Sequence, residues 1–213
     1  RSVGSGVVAK SPPDGYTALI HTSALASAGP LYKSLPFDPI KDFAPVTNLV
    51  ATQMIVSGSL KSTATTLPEL IAEAKAKPGT LNYASSGLGS SLHLFAEIFK
   101  NNAGVDIVHI PYRGDAPMIT AMIAGDVQMA FLPQATGQAA IQGGRLRALA
   151  VTGRTRLPQL PDTPTLLELG ITGFEDGSWT AMWMPAATPS EIVLAIQQAT
   201  AKVLFDPMVA ERF

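Results

Sequence analysis

The feature that most constrains the fold is the alternation of short extended segments with helix-forming segments through the middle of the chain. Four short runs, rich in apolar and β-branched residues, are predicted to be strands: 81–84, 105–111, 127–132 and 146–151. Between them, apolar residues recur at the three- and four-residue spacing of a buried helical face. This order predicts an α/β fold with a largely parallel sheet, in which ligands bind at the carboxyl ends of the strands.

One junction of strand, loop and helix, residues 83–91, has the composition of an anion site. Its sequence is YASSGLGSS, and the helix after it is expected to end near Gly104. In such a loop, free backbone N–H groups and the positive end of the helix dipole point at one spot, and glycines let a ligand approach the main chain. Serines that simply cap the helix are the alternative interpretation.

Charge, hydropathy and cysteine content exclude several classes of protein. With 15 basic and 16 acidic residues, the chain lacks the basic excess that binds nucleic acid or anionic membranes. The longest apolar stretches fall far short of the ~20 residues that cross a bilayer, so we expect a soluble protein. The absence of cysteine excludes thiolate chemistry, disulfides and cysteine-ligated zinc. Because the sequence begins at Arg1 and not at methionine, a removed leader is compatible with it.

No catalytic or metal-binding motif is complete. The pattern Gly4-Ser5-Gly6 has no strand before it and no acidic residue about twenty positions later, so it favours a helix start over a dinucleotide site. The three histidines lack metal-ligand spacing. A serine hydrolase using Ser86 or Ser90 with His93 remains an alternative, although no third group is evident to orient the base. The sequence therefore favours a binding protein with no catalytic residues, no metal and no cofactor.

Three further local patterns predict where helices begin and end. Capping-box sequences with proline predict helix starts at residues 66–69 and 188–191. A short helix ending at Leu169 and closed by Gly170 is predicted after the proline-rich turn 157–164.

Four motifs occur in a characteristic order along the chain. They are PDGYT at 13–17, YASSG followed by GS and HL at 83–94, PYRG at 111–114, and LRALAVT at 146–152. Together they resemble the Bug family, the periplasmic solute receptors of tripartite tricarboxylate transporters. The resemblance extends from about Gly4 to the final helix.

The resemblance implies the type II periplasmic binding protein architecture, with two α/β lobes joined by crossing strands. One lobe comprises residues 1–54 and 180–213, and the other comprises residues 55–179. The implied crossing strands lie within 53–57 and 179–184, two extended stretches that bracket the α/β middle of the chain. Compared with the family, the opening strand with its carboxylate loop and the last strand and helix are expected to be absent from this chain.

The resemblance also implies a function. A periplasmic, monomeric receptor would capture a small organic carboxylate between its lobes and deliver it to the membrane permease subunits of the transporter, with no role for nucleic acid. Two alternatives remain: an α/β hydrolase-like enzyme acting on a carboxylate or ester, and a ligand sensor that signals to a two-component system.

The predicted ligand contacts fall into two groups. Backbone N–H groups and hydroxyls, and not the side chain of Arg113, are expected to hold the carboxylate, at Ser86, Gly87, Gly89 and Ser90. Polar or aromatic residues near strand ends are expected to contact the distal half of the ligand: Thr22, Ser23, Gln134, Thr136, Ser178 and Trp179.

Overall fold

The computed structural model describes residues 2–32 and 34–210. Its helices are α1 (Ser2–Ala9), α2 (Ala28–Leu31), α3 (Leu67–Ala76), α4 (Ser91–Ala103), α5 (Asp115–Ala124), α6 (Gln134–Gln142), α7 (Ser190–Leu204) and α8 (Pro207–Ala210). Its strands are β1 (Leu19–Thr22), β2 (Phe43–Thr52), β3 (Met54–Ser59), β4 (Asn82–Ser85), β5 (Val108–Pro111), β6 (Met129–Pro133), β7 (Leu146–Val151) and β8 (Ser178–Pro185). The chain divides into two compact units: Arg1–Ala51 with Trp179–Phe213 (unit 1), and Thr52–Ser178 (unit 2).

Unit 2 is built on a five-stranded sheet with the order β5-β4-β6-β3-β7. Strand β4 pairs in parallel with β5 and β6, whereas β3 runs antiparallel to both of its neighbours, β6 and β7. The largely parallel sheet predicted from the sequence is therefore confirmed, with one inserted antiparallel strand. Strand β3 follows β2, which belongs to the sheet of unit 1, so β3 is the first strand of its own sheet along the chain.

The larger of two buried apolar clusters among the described residues of unit 2 lies between its sheet and its helices. Its centre is Phe131, which is fully buried and packs with its ring centroid 5.9 Å from those of Phe95 and Phe174 and 6.1 Å from that of Phe99. Met118 and Met122 of α5 are also fully buried, so the methionines are core residues, as their spacing predicted.

Unit 1 has a smaller core. In its three-stranded sheet, ordered β1-β8-β2, β1 pairs antiparallel with β8. Val8, Leu19, Leu25, Phe37 and Phe43 form its buried cluster, and α7 contributes no fully buried residue within the described range. A groove of about 510 Å³, whose lining includes Val46 and Leu194, lies between β2 and α7. Apolar surface of unit 1 is therefore left uncovered.

Local capping explains which helix boundaries were predicted correctly. At α3, Thr66 accepts the Glu69 N–H at 3.4 Å, as predicted, and the Glu69 carboxylate accepts the N–H of the preceding residue, Thr65, at 2.7 Å. At α7 the predicted cap was wrong. The first helical carbonyl is that of Pro189, which accepts the N–H groups of Ile192 and Val193, so Thr188 lies outside the helix.

The short helix predicted to end at Leu169 does not form. Residues 166–170 form turns instead, in which the Leu169 and Gly170 N–H groups donate to carbonyls three residues earlier. The Glu168 carboxylate accepts the Thr165 N–H and is held by Arg156, which fixes these turns from outside.

Candidate functional site

Parallel strands bring several predicted residues of unit 2 to one edge of its sheet. Strand β4 lies between β5 and β6, and all three point the same way, so the segments after them share an edge. The loop 86–90 follows β4, and Gln134 begins α6 directly after β6. The Tyr112 N–H, just after β5, donates to Ser85 O at 2.9 Å. Ser86 to Ser90 therefore share this edge with Gln134 and Thr136.

The loop 85–91 (hereafter the glycine-serine loop) depends on its glycines and on Ser90. Gly87 has φ 125° and Gly89 has φ 68°, values that favour glycine. A Cβ at Gly87 would meet only Tyr112 O, at 3.6 Å, so backbone conformation and not space requires this glycine. Ser90 is the N-cap of α4, and its hydroxyl oxygen accepts the His93 N–H at 3.2 Å. The helix ends, as predicted, at Gly104 in the left-handed conformation.

Three backbone N–H groups of the loop are engaged within the protein, which corrects the expectation that they would be free. Gly87 N–H donates to Ser85 Oγ, Gly89 N–H donates to His93 Nδ1, and Ser90 N–H donates to Gly87 O, each at 3.2 Å. These distances lie at the long end of the usual range, so the bonds are weak. Hydrogen bonds to a charged oxygen are shorter and stronger, so a carboxylate can compete with these internal acceptors.

Behind the loop, two imidazoles and a phenol form a stack that sequence analysis did not find. The ring centroids of His93 and His109 are 4.2 Å apart, and those of His109 and Tyr83 are 4.8 Å apart. Ser85 Oγ lies 2.7 Å from His109 Nε2, and the Tyr83 hydroxyl donates to Glu97. This arrangement differs from the serine-histidine pair considered from the sequence, because the observed hydroxyl-imidazole contact joins Ser85 to His109.

Both imidazoles of the stack are expected to be neutral at neutral pH. Burial lowers the pKa of His93, and burial together with the neighbouring His93 lowers the pKa of His109 to about 4. Two positive charges about 4 Å apart repel each other by about 4 kcal/mol at an effective dielectric constant of about 20, so both rings cannot readily be charged.

The stack interacts with one ion pair, which Glu97 forms with Lys100. Burial, with the hydrogen bond to Glu97, raises the pKa of Tyr83. Burial acts to raise the pKa of Glu97, but hydrogen bonds from Tyr83 and Lys100 outweigh it and lower that pKa. Lys100 Nζ lies 2.9 Å from the Glu97 carboxylate. At neutral pH the phenol of the stack is therefore neutral, and the stack lies beside one ion pair, Glu97 with Lys100.

The remaining predicted residues lie around β1 and β8. Thr22 ends β1 opposite Thr180, and Ser23 begins a short 3-10 helix. Ser178 and Trp179 are the first two residues of β8. Ser178 is buried, and Trp179 packs on Trp183, with ring centroids 5.8 Å apart. Thr136 lies inside α6, whose N-cap is Pro133, so it is not a cap. The roles of all these residues as ligand contacts stay a prediction.

The histidine pair makes stability depend on pH. The pKa of His109 is lowered in the folded state, so between about pH 6.5 and pH 4 the unfolded chain binds more protons than the folded chain. The free energy of unfolding should be highest above pH 6.5 and fall as the pH drops through this window. In His109→Gln the decrease should be smaller, as measured by urea unfolding at several pH values. An unchanged pH dependence in this variant would contradict the neutral state of His109.

Comparison with known proteins identifies the family. The family model of the tripartite tricarboxylate transporter family receptor matches residues 1–213. The chain belongs to this family. The chain is 32% identical to BugT of Bordetella pertussis over 213 residues, which cover 99% of the chain and 65% of BugT. It spans 62% of a relative from Pseudomonas sp. strain P51, to which it is 34% identical over 98% of its own length. The chain therefore covers less than two thirds of the length of these relatives.

Solved structures share the fold of this chain. An R. palustris protein with adipate superposes with a TM-score of 0.90 at 33% identity, covering 99% of this chain and 71% of that protein. MatC from Rhodopseudomonas palustris with bound malate gives a TM-score of 0.87 at 27% identity, covering 99% and 72%. These similarities confirm the periplasmic binding protein fold and the Bug-family resemblance seen in the motifs.

Across residues 2–32 and 34–210, no helix is long and apolar enough to cross a membrane. Within the same residues, no group of three histidine, aspartate or glutamate side chains is placed to hold a metal ion.

Proposed function

We propose that this protein is a periplasmic solute receptor that binds a small organic carboxylate and delivers it to the permease of a tripartite tricarboxylate transporter, without catalysing a reaction. The observation that carries the proposal is the glycine-serine loop, which caps α4 at the carboxyl edge of the unit 2 sheet. Membership of the receptor family supports it. So do two similar structures, one with adipate and one with malate.

The loop offers three kinds of attraction to a carboxylate. Its backbone N–H groups can exchange weak internal acceptors for a charged oxygen. The Ser90 side chain is buried and its hydroxyl oxygen accepts the His93 N–H, so in this proposal its proton is donated to a carboxylate that enters the loop. The 13-residue helix α4 begins directly after the loop and contributes the positive end of its dipole. Arg113 is exposed at the bend after β5, so we assign it no essential contact.

The two compact units serve as the two lobes of the receptor in this proposal. The distal half of the ligand then contacts Thr22, Ser23, Gln134, Thr136, Ser178 and Trp179. A dicarboxylate can be held at both ends. In this proposal the glycine-serine loop provides affinity for one carboxylate, and the residues around the distal half of the ligand provide selectivity. A ligand that binds both lobes favours the closed form by its differential affinity.

Adipate and malate should stabilise the protein without being consumed. A ligand at about 100 times its dissociation constant adds about 2.7 kcal/mol to the free energy of unfolding, which thermal unfolding detects. Calorimetry should give one ligand per chain, and chromatography of the mixture should recover the ligand unchanged. Turnover of a carboxylate or ester would instead favour the hydrolase-like alternative. The absence of any stabilisation by a panel of mono-, di- and tricarboxylates would contradict the proposal.

A further inference from the structure

Two glycine N–H groups of the glycine-serine loop are linked by hydrogen bonds to the histidines of the stack, one directly and one through Ser85. Gly89 N–H donates directly to His93 Nδ1, and Gly87 N–H donates to Ser85 Oγ, which in turn contacts His109 Nε2. The two glycines carry the loop's positive φ values. The stack therefore contacts the loop at the two positions that define its shape.

We propose that His93 and His109 are positioning residues of the carboxylate site, which hold the glycine-serine loop in its binding conformation through neutral imidazole nitrogens. This inference rests on the proposed function, because it assigns the loop to carboxylate binding. It extends that function by making the loop, and with it the affinity, dependent on the protonation of two side chains that need not touch the ligand.

The chemistry of imidazole gives the mechanism. A nitrogen that accepts a hydrogen bond from an N–H group must carry no proton, so the contact with Gly89 places the His93 proton on Nε2. Protonation of His93 would make its Nδ1 a donor that faces the Gly89 N–H. The two N–H groups would repel each other, and Gly89 would be displaced. Protonation of His109 would make its Nε2 an obligatory donor, which leaves Gly87 O, 3.2 Å away, as the acceptor of the Ser85 hydroxyl proton.

The surroundings of the stack favour the neutral state at neutral pH. The ring centroid of His109 lies 4.8 Å from that of Tyr83 of β4 and 4.2 Å from that of His93 of α4, and the Tyr83 and His93 centroids are 6.5 Å apart. Glu97 favours protonation of both imidazoles, while burial and Lys100, also of α4, oppose it. Because burial is the largest of these influences on both rings, acid and not neutral pH is expected to release the loop.

Nuclear magnetic resonance of the ligand-free chain tests the inference independently of any ligand. At about pH 7, the side-chain nitrogen signals should show His93 protonated on Nε2 alone. On acidification, the Gly89 amide signal should move with the same midpoint as the His93 side chain. A Gly89 amide that does not respond to the titration of His93, or a His93 protonated on Nδ1, overturns the inference.

Matched variants separate positioning from general packing. His93→Asn places an acceptor oxygen near the position of Nδ1 but does not titrate, whereas His93→Leu fills space without an acceptor. The Gly89 amide signal of His93→Asn at about pH 7 should stay close to that of the wild type and should no longer move on acidification. In His93→Leu it should be displaced at every pH. Equal signals in the two variants would overturn the role of the acceptor.

Binding of adipate and malate supplies the second readout. Between about pH 7 and pH 5, the affinity of the wild type should fall at least tenfold more than that of the double variant His93→Asn with His109→Gln. Protonation of the ligand itself affects both proteins equally and cancels in the comparison. Stronger binding at acid pH in the wild type alone would overturn the inference, because it would make the histidines direct cationic ligands. If neither compound binds, the proposed function fails for these ligands, while the Gly89 titration still decides the role of the stack.

Discussion

Replacing Phe131 with alanine is expected to lower the free energy of unfolding of the protein by about 3–5 kcal/mol. The reason is the fully buried position of its ring among three other phenylalanine rings, where truncation leaves a cavity that the rigid sheet cannot close. Urea-induced unfolding followed by circular dichroism measures the change.

Phe205→Ala is the matched control for this experiment. Phe205 is 85% exposed at the end of α7, so its truncation should change stability by no more than about 0.5 kcal/mol. If the two variants lose equal stability, the phenylalanine cluster is not the centre of the unit 2 core.

The second large effect is expected at the carboxylate loop. Gly87→Val forces a β-branched residue to φ 125° and disturbs the N–H groups on either side. Loss of one hydrogen bond to a charged group costs about 1.5–3 kcal/mol, so the affinity for a bound dicarboxylate should fall about ten- to hundredfold or more. Calorimetric titration of the folded variant measures this loss.

Two further variants show whether this loss is specific. Gly144→Val imposes a similar strain at φ 62°, in open space after α6, and should leave affinity unchanged. Arg113→Ala should weaken binding less than Gly87→Val does. If Arg113→Ala abolishes binding while Gly87→Val binds normally, a salt bridge holds the anion and the role assigned to the loop is wrong.

The sequence predicted those strands and helices whose bounds depend on residues close together in the chain. Strand β7 was predicted at 146–151 from one apolar run and has those bounds in the structure. Helix α4 was placed by a capping serine, an apolar period and a terminal glycine, all within fifteen consecutive positions of the chain. The antiparallel insertion of β3 has no such local signal, because it depends on which strands become neighbours.

The imidazole stack escaped prediction for the same reason. His93 and His109 are distant in sequence and meet because β4 and β5 pair in a register that sets Tyr83 opposite His109. Tyr83, Ser85 and His109 lie on the same side of the adjacent strands β4 and β5. The sequence would have predicted this cluster only if the register of the two strands had been known. The acceptors of the loop N–H groups are by contrast local, at Ser85, Gly87 and His93, and among these contacts only that of Ser85 with His109 depends on the strand register.

Titration of the isotope-labelled protein with adipate and malate tests the central claim most directly. The amide signals of residues 85–91 should move saturably, and no comparably large shift should occur in the signals of the Arg113 side chain. Saturable binding that leaves the loop amides unchanged would contradict the assignment of the carboxylate to this loop.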